Sequence, residues 1–107
     1  MMTINVTPSN CLLPAKITKA DLKKIIDDIK EEWEEVLEAW AEYGADPNPK
    51  NKEHLGEELM DLMTVTGTGL TGLSMTEDTP EKFIDAIVTK VHCKDYARGY
   101  NDDDMIF

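Results

Sequence analysis

Two short acidic runs hold the residues best suited to chemistry in this sequence: Glu31-Glu32-Trp33-Glu34-Glu35-Val36-Leu37-Glu38 and Glu57-Glu58-Leu59-Met60-Asp61. A helix turns roughly 100° per residue, so each carboxylate can be placed against the apolar stripe of its own segment. On the first segment Glu32 falls roughly 80° and Glu35 roughly 140° from the stripe centre, on one flank. On the second, Glu58 and Asp61 take the same two offsets on the same flank. If the two segments pack antiparallel through their stripes, these acid-x-x-acid pairs meet at the bundle edge. Four converging carboxylates cannot all stay ionised without a counter-charge. Hard oxygen ligands so arranged suit Mg²⁺ or Mn²⁺, and Mg²⁺ commonly joins carboxylates to substrate phosphates. A single Glu-rich run reads more simply as a solvated helix face, but two pairs at equal spacing on equal flanks favour a site. Glu31, Glu34 and Glu38 project further outward, as solvated charges.

The complementary charge comes late in the chain. Between Lys82 and Arg98 there are four basic and two acidic residues, whereas Asp21 to Asp61 holds 14 acidic and 5 basic ones. Lys94 and Arg98 continue the stripe of Phe83, Ile87 and Val91, where they would suit phosphate oxygens. The same cations equally suit the helix dipole or ion pairs with the acids. Tyr96 and Tyr100 stand beside them as candidates for stacking on a nucleobase. Trp33 and Trp40 lie at the stripe centre and read as core. His54 and His92 lack ligand spacing and read as surface residues. Cys11 and Cys93 have no metal-type spacing. Ser74 has no His or Lys partner in sequence, and Gly67, Gly69 and Gly72 precede no Gly-Lys-Ser/Thr, so neither a nucleophilic hydrolase nor a Walker loop is supported.

Three helices must position these residues. Thr18-Lys19-Ala20-Asp21 has the form of a capping box with Asp in place of Glu. Apolar residues then recur in steps of three and four from Leu22 to Trp40, and Gly44 closes the helix before two prolines. A second helix is expected to start near Asn51 and run through Leu55, Leu59 and Leu62 toward Leu70. Its Thr66–Gly72 end is rich in Gly and Thr, which either ends the helix early or lets another helix approach closely. The third has Thr79 as N-cap, Pro80 at N1 and Gly99 as C-cap. These elements predict an all-α fold, a small bundle of three main helices. Residues 1–16 form a leader, 17–100 the helical domain and 101–107 an acidic tail. The wide stripe of the first helix is expected to be completed by another subunit, in a homodimer or homotetramer.

Length and charge narrow the classes further. The chain has 107 residues, enough for one domain, with 41% hydrophobic and 31% charged residues. Its 22 acidic residues against 11 Lys and Arg give a net charge of −11. That argues against binding nucleic acid or an anionic membrane, both of which need basic groups. A phosphate substrate stays compatible, because bound divalent cations reverse the local field. No secretory leader and no span of roughly 20 apolar residues is present, so the cytoplasm is the expected location.

The acidic motifs, taken in order, resemble those of the MazG-like all-α nucleoside triphosphate pyrophosphohydrolases. The family pattern Glu-Glu-x-x-Glu, spacer, Glu-x-x-Asp is similar to Glu31-Glu32-Trp33-Glu34-Glu35 and Glu58-Leu59-Met60-Asp61. His54-Leu55-Gly56-Glu57-Glu58 and the basic ending Lys94-Asp95-Tyr96-Ala97-Arg98 add to the likeness, which spans roughly 17–100. The resemblance implies cleavage of a nucleoside triphosphate to the monophosphate and pyrophosphate. It implies that Glu32, Glu35, Glu58 and Asp61 hold Mg²⁺, that Glu31 assists the attacking water, and that Lys94 and Arg98 clamp phosphate. The family often carries an Asn beside its basic residues, where Asp95 and Tyr96 stand here. A different reading of the same acids is a non-catalytic helical adaptor that binds a basic protein surface.

Overall fold

The computed structural model describes residues 16–98. The 1–15 part of the leader, Cys11, Gly99, Tyr100 and the acidic tail lie outside the described residues. Three helices follow one another: α1 (Lys19–Ala45), α2 (Pro49–Ser74) and α3 (Pro80–Ala97). Among the described residues there is no strand, so the all-α bundle expected from periodicity is the fold. No described helix is long and apolar enough to cross a membrane.

The start of α1 is the predicted capping box. Thr18 Oγ1 accepts the Asp21 N–H at 3.2 Å, and Asp21 Oδ2 accepts the Thr18 N–H at 2.9 Å. Two otherwise orphaned amides of the first turn are thereby satisfied. These bonds, the backbone one foremost, hold the Asp21 carboxyl below its usual range.

A three-residue turn then reverses the chain. The Asn51 N–H donates to Asn48 Oδ1 at 2.8 Å, while Asn51 Nδ2 reaches back to the carbonyl of Asp46 at 2.9 Å. Asn48 is the N-cap and Pro49 sits in the first turn, so α2 begins two residues before the expected Asn51. The prolines suggested loop, but the first helical position needs no N–H donor and tolerates the fixed φ of proline.

The Gly/Thr-rich end of α2 stays helical to Ser74. Thr64, Thr66 and Thr68 turn their hydroxyls back to the carbonyls one helical turn earlier. A Cβ placed on Gly69 would meet Ile25 Cγ2 at 3.2 Å and Ile29 Cδ1 at 3.3 Å. Of the two alternatives the sequence leaves open, close helix approach is the one realised. It places early α1 against late α2, so the two helices form an antiparallel hairpin.

α3 packs on α2 and contributes no buried residue. Thr79 is its N-cap by position, but its side chain makes no capping bond. The radius of gyration is 16.5 Å, against about 13 Å for a compact hundred-residue domain. A third helix that meets only α2, and that sparsely, accounts for the excess.

The core corrects one expectation. Trp33 and Trp40 are 49% and 60% exposed, while Val36 and Ala39 are buried. Periodicity locates an apolar stripe but not the part of it that a neighbour covers. Here α2 packs on the flank of the α1 stripe and leaves its centre, with both indoles, open.

Candidate metal centre

That same flank carries the acids. Val36 and Ala39 mark the line of α1 that meets α2, and Glu32 lies one turn before Val36 on that line. Glu58 occupies the matching line of α2, one turn before Leu62. Glu32, Glu35 and Glu58 are half-buried, whereas Asp61 is exposed. Single carboxylate oxygens of Glu32, Glu58 and Asp61 all lie within 4.8 Å of one another. One acid of the α1 pair and both of the α2 pair thus come together, from separate helices, and Glu35 is not in that group of three.

The electrostatics are those of crowded like charges. Burial pushes the Glu32 carboxyl above its usual range, the adjacent Glu35 charge and hydrogen-bonding contact raise it further, and Asp61 and Glu58 add to the rise. Glu58 is raised in the same way, first by burial and then by Glu35 and Asp61, with His54 opposing. The Glu35 charge thus acts on both Glu32 and Glu58. One oxygen of Glu32 and one of Glu58 are buried with no hydrogen-bond partner. A buried oxygen without a donor is costly unless a cation or a proton reaches it.

A divalent cation fits this donor set. Around octahedral Mg²⁺ adjacent oxygens stand about 3.0 Å apart and opposed ones about 4.2 Å when each bond is about 2.1 Å. Three oxygens within 4.8 Å of one another must draw in by up to about 2 Å to share the ion, which carboxylate side chains achieve by changing rotamer.

The sign of the shifts gives a pH dependence. Both carboxyls titrate higher in the folded chain than their ordinary value of 4.5. The stability they contribute is fully present below that value and is lost as pH rises through the folded values. In chelator, Glu58→Gln should therefore melt at a higher temperature than the parent at pH 7 and close to it at pH 4. Thermal unfolding followed by circular dichroism reads this; a lower melting temperature for the variant at pH 7 contradicts it.

The other sequence candidates are placed differently. Glu31, Glu34 and Glu38 are exposed, as the projection expects. Lys94, Tyr96 and Arg98 are exposed on the last turns of α3, and neither cation makes an ion pair with any carboxylate among the described residues. Tyr100 is outside the described residues. His54, expected at the surface, is exposed, yet its Nε2 stands 3.8 Å from Glu58 Oε1. Its place four residues before Glu58, one helical turn away, is the signal that could have linked it to the site. Set against known proteins, the chain matches no family model, no curated protein and no solved structure.

Proposed function

We propose that the chain is a metal-dependent nucleoside triphosphate pyrophosphohydrolase, converting a (d)NTP to the (d)NMP and pyrophosphate. The observation that carries this reading is the convergence of Glu32, Glu58 and Asp61 around two unpartnered buried oxygens. The motif resemblance supplies the reaction. Glu32, Glu35, Glu58 and Asp61 are the proposed ligands of Mg²⁺, with Mn²⁺ as an alternative. Once bound, the cation supplies charge neutralisation for the triphosphate and acidifies a coordinated water.

In this reading the water oxygen bonds to the α-phosphorus, the bond from that phosphorus to the α,β-bridging oxygen breaks, and pyrophosphate leaves with its electron pair. Glu31 or Glu35 takes the proton of the water. Glu35, half-buried where Glu31 is exposed, is the better placed of the two. Lys94 and Arg98 would steady the phosphates and Tyr96 or Tyr100 the base, in a cytoplasmic homodimer or homotetramer.

Two measurements test the proposal. Mg²⁺ at tenfold its dissociation constant should stabilise the chain by about 1.4 kcal/mol, and a panel of common and modified nucleotides with Mg²⁺ should release pyrophosphate. No turnover on any nucleotide with either metal refutes the enzyme reading. It would then favour the acidic adaptor, for which Glu31, Glu34 and Glu38 form the exposed charge.

A further inference from the structure

At the open end of the hairpin, between the start of α1 and the end of α2, runs an apolar groove of about 310 Å³. Leu22, Ile25, Ile26 and Ile29 form one wall and Leu70 and Leu73 the other, with Gly69 between them. Thr66 is its only polar side chain, and that hydroxyl already donates to the Leu62 carbonyl at 2.6 Å. Ile26, Leu70 and Leu73 are 61%, 38% and 43% exposed, and α3 lends the groove no residue. A trough of this volume holds about ten waters at about 30 Å³ each, between walls almost without hydrogen-bonding groups.

We propose that the leader of the same chain covers this groove, with Leu12 and Leu13 laid against its walls. Charge, place and reach select this occupant. Residues 1–15 contain no Asp, Glu, Lys or Arg, in a chain where such residues make up 31%. An uncharged segment enters an apolar trough without stripping water from an ion. The C-terminal tail fails this condition, because Asp102, Asp103 and Asp104 directly precede Met105-Ile106-Phe107. Ile17 and Leu22 flank the N-cap Thr18 at the two positions of a hydrophobic staple, and both are half-buried. A staple fixes the angle at which the chain enters a helix, and Leu22 is also a wall of the groove. Ile29, the deepest wall residue, stands about 16 Å along α1 from Thr18. The chain from Thr18 back to Leu12 spans up to about 20 Å when extended, so the groove is within reach. Pro14 disfavours helix at Leu13 and has no N–H to leave unbonded there. A tethered segment acts at an effective concentration of millimolar order and needs no polar anchor. A free small ligand would need one to fix its orientation, and Thr66 is already bonded. The carboxylates take no part, so the inference stands apart from the nucleotide reading.

Methyl nuclear magnetic resonance of the full chain, in chelator and without nucleotide, tests it. Nuclear Overhauser contacts are expected from the methyls of Leu12 and Leu13 to those of Ile25, Leu70 and Leu73. In an equal mixture of isotope-labelled and unlabelled chains, these contacts should stay within one chain. Leu12→Asp combined with Leu13→Asp should shift the groove methyls, with helical circular dichroism kept and the methyls of Leu55, near the turn, unmoved. Phe107→Asp should leave the groove methyls where they are. Groove methyls without any contact to the leader overturn the proposal, and this reading needs no variant. So do contacts between labelled and unlabelled chains, which make a second copy the occupant. Groove methyls that move with Phe107→Asp and not with the leader substitutions assign the groove to the tail and also overturn it.

Discussion

Glu58→Gln should lower pyrophosphate release by at least about 10²–10³-fold, the order that loss of one preorganised electrostatic group costs. The substitution keeps the shape of the side chain and removes the charge. Glu58 is well enclosed, with its side chain 15% exposed. Its unpartnered buried oxygen, like that of Glu32, is in need of a cation. Asp61→Asn, on the exposed rim of the same cluster, should act in the same direction. Steady-state turnover at saturating Mg²⁺ and nucleotide reads the effect, and Glu38→Gln is the control that keeps full rate. The metal-free Glu58→Gln chain is expected to be the more stable one at neutral pH, so lost activity cannot be put down to unfolding. Undiminished turnover in both site variants would remove these carboxylates from the reaction.

Ala39→Leu should be the most damaging single change to the fold. Ala39 has no exposed surface and lies where α1 rests on α2. A longer side chain there must push the helices apart, at about 1–3 kcal/mol for an overfilled core. In a domain of this size that lowers the melting temperature by about 4–24 °C. The loss is large because Val36 and Ala39 are the buried apolar residues of the described chain. A melting temperature equal to that of the parent would mean that the helices do not approach this closely in solution.

Much of this architecture is legible in the sequence. Thr18 and Asp21 mark a helix start because both halves of the capping interaction are local, and helix spacing puts Glu32 and Glu58 on matching flanks. What is not local stays hidden. The indoles of Trp33 and Trp40 sit at the centre of the stripe, yet α2 selects the flank. That choice depends on the small Ala39 and Gly69, whose closeness to the facing helix no single helix projection reports. α2 starts two residues earlier than the sequence suggests, because proline reads as a breaker until its place in the first turn is known. His54 reads as a lone histidine because its neighbour is a carboxylate one turn on, not a second residue at metal-ligand spacing.

The short turn that joins α1 to α2 works as a ruler. Asn48 and Asn51 tie its backbone to the end of α1, so the phase of everything downstream is fixed by three residues. One residue more or fewer between Ala45 and Pro49 would rotate α2 by about 100°. Glu58 would then swing out of the seam, and Leu59 or Glu57 would take its place opposite Glu32. Lineages of this chain could lengthen the connection before α3 freely, while the Asp46–Asn48 link must keep its length for the acids to stay in register.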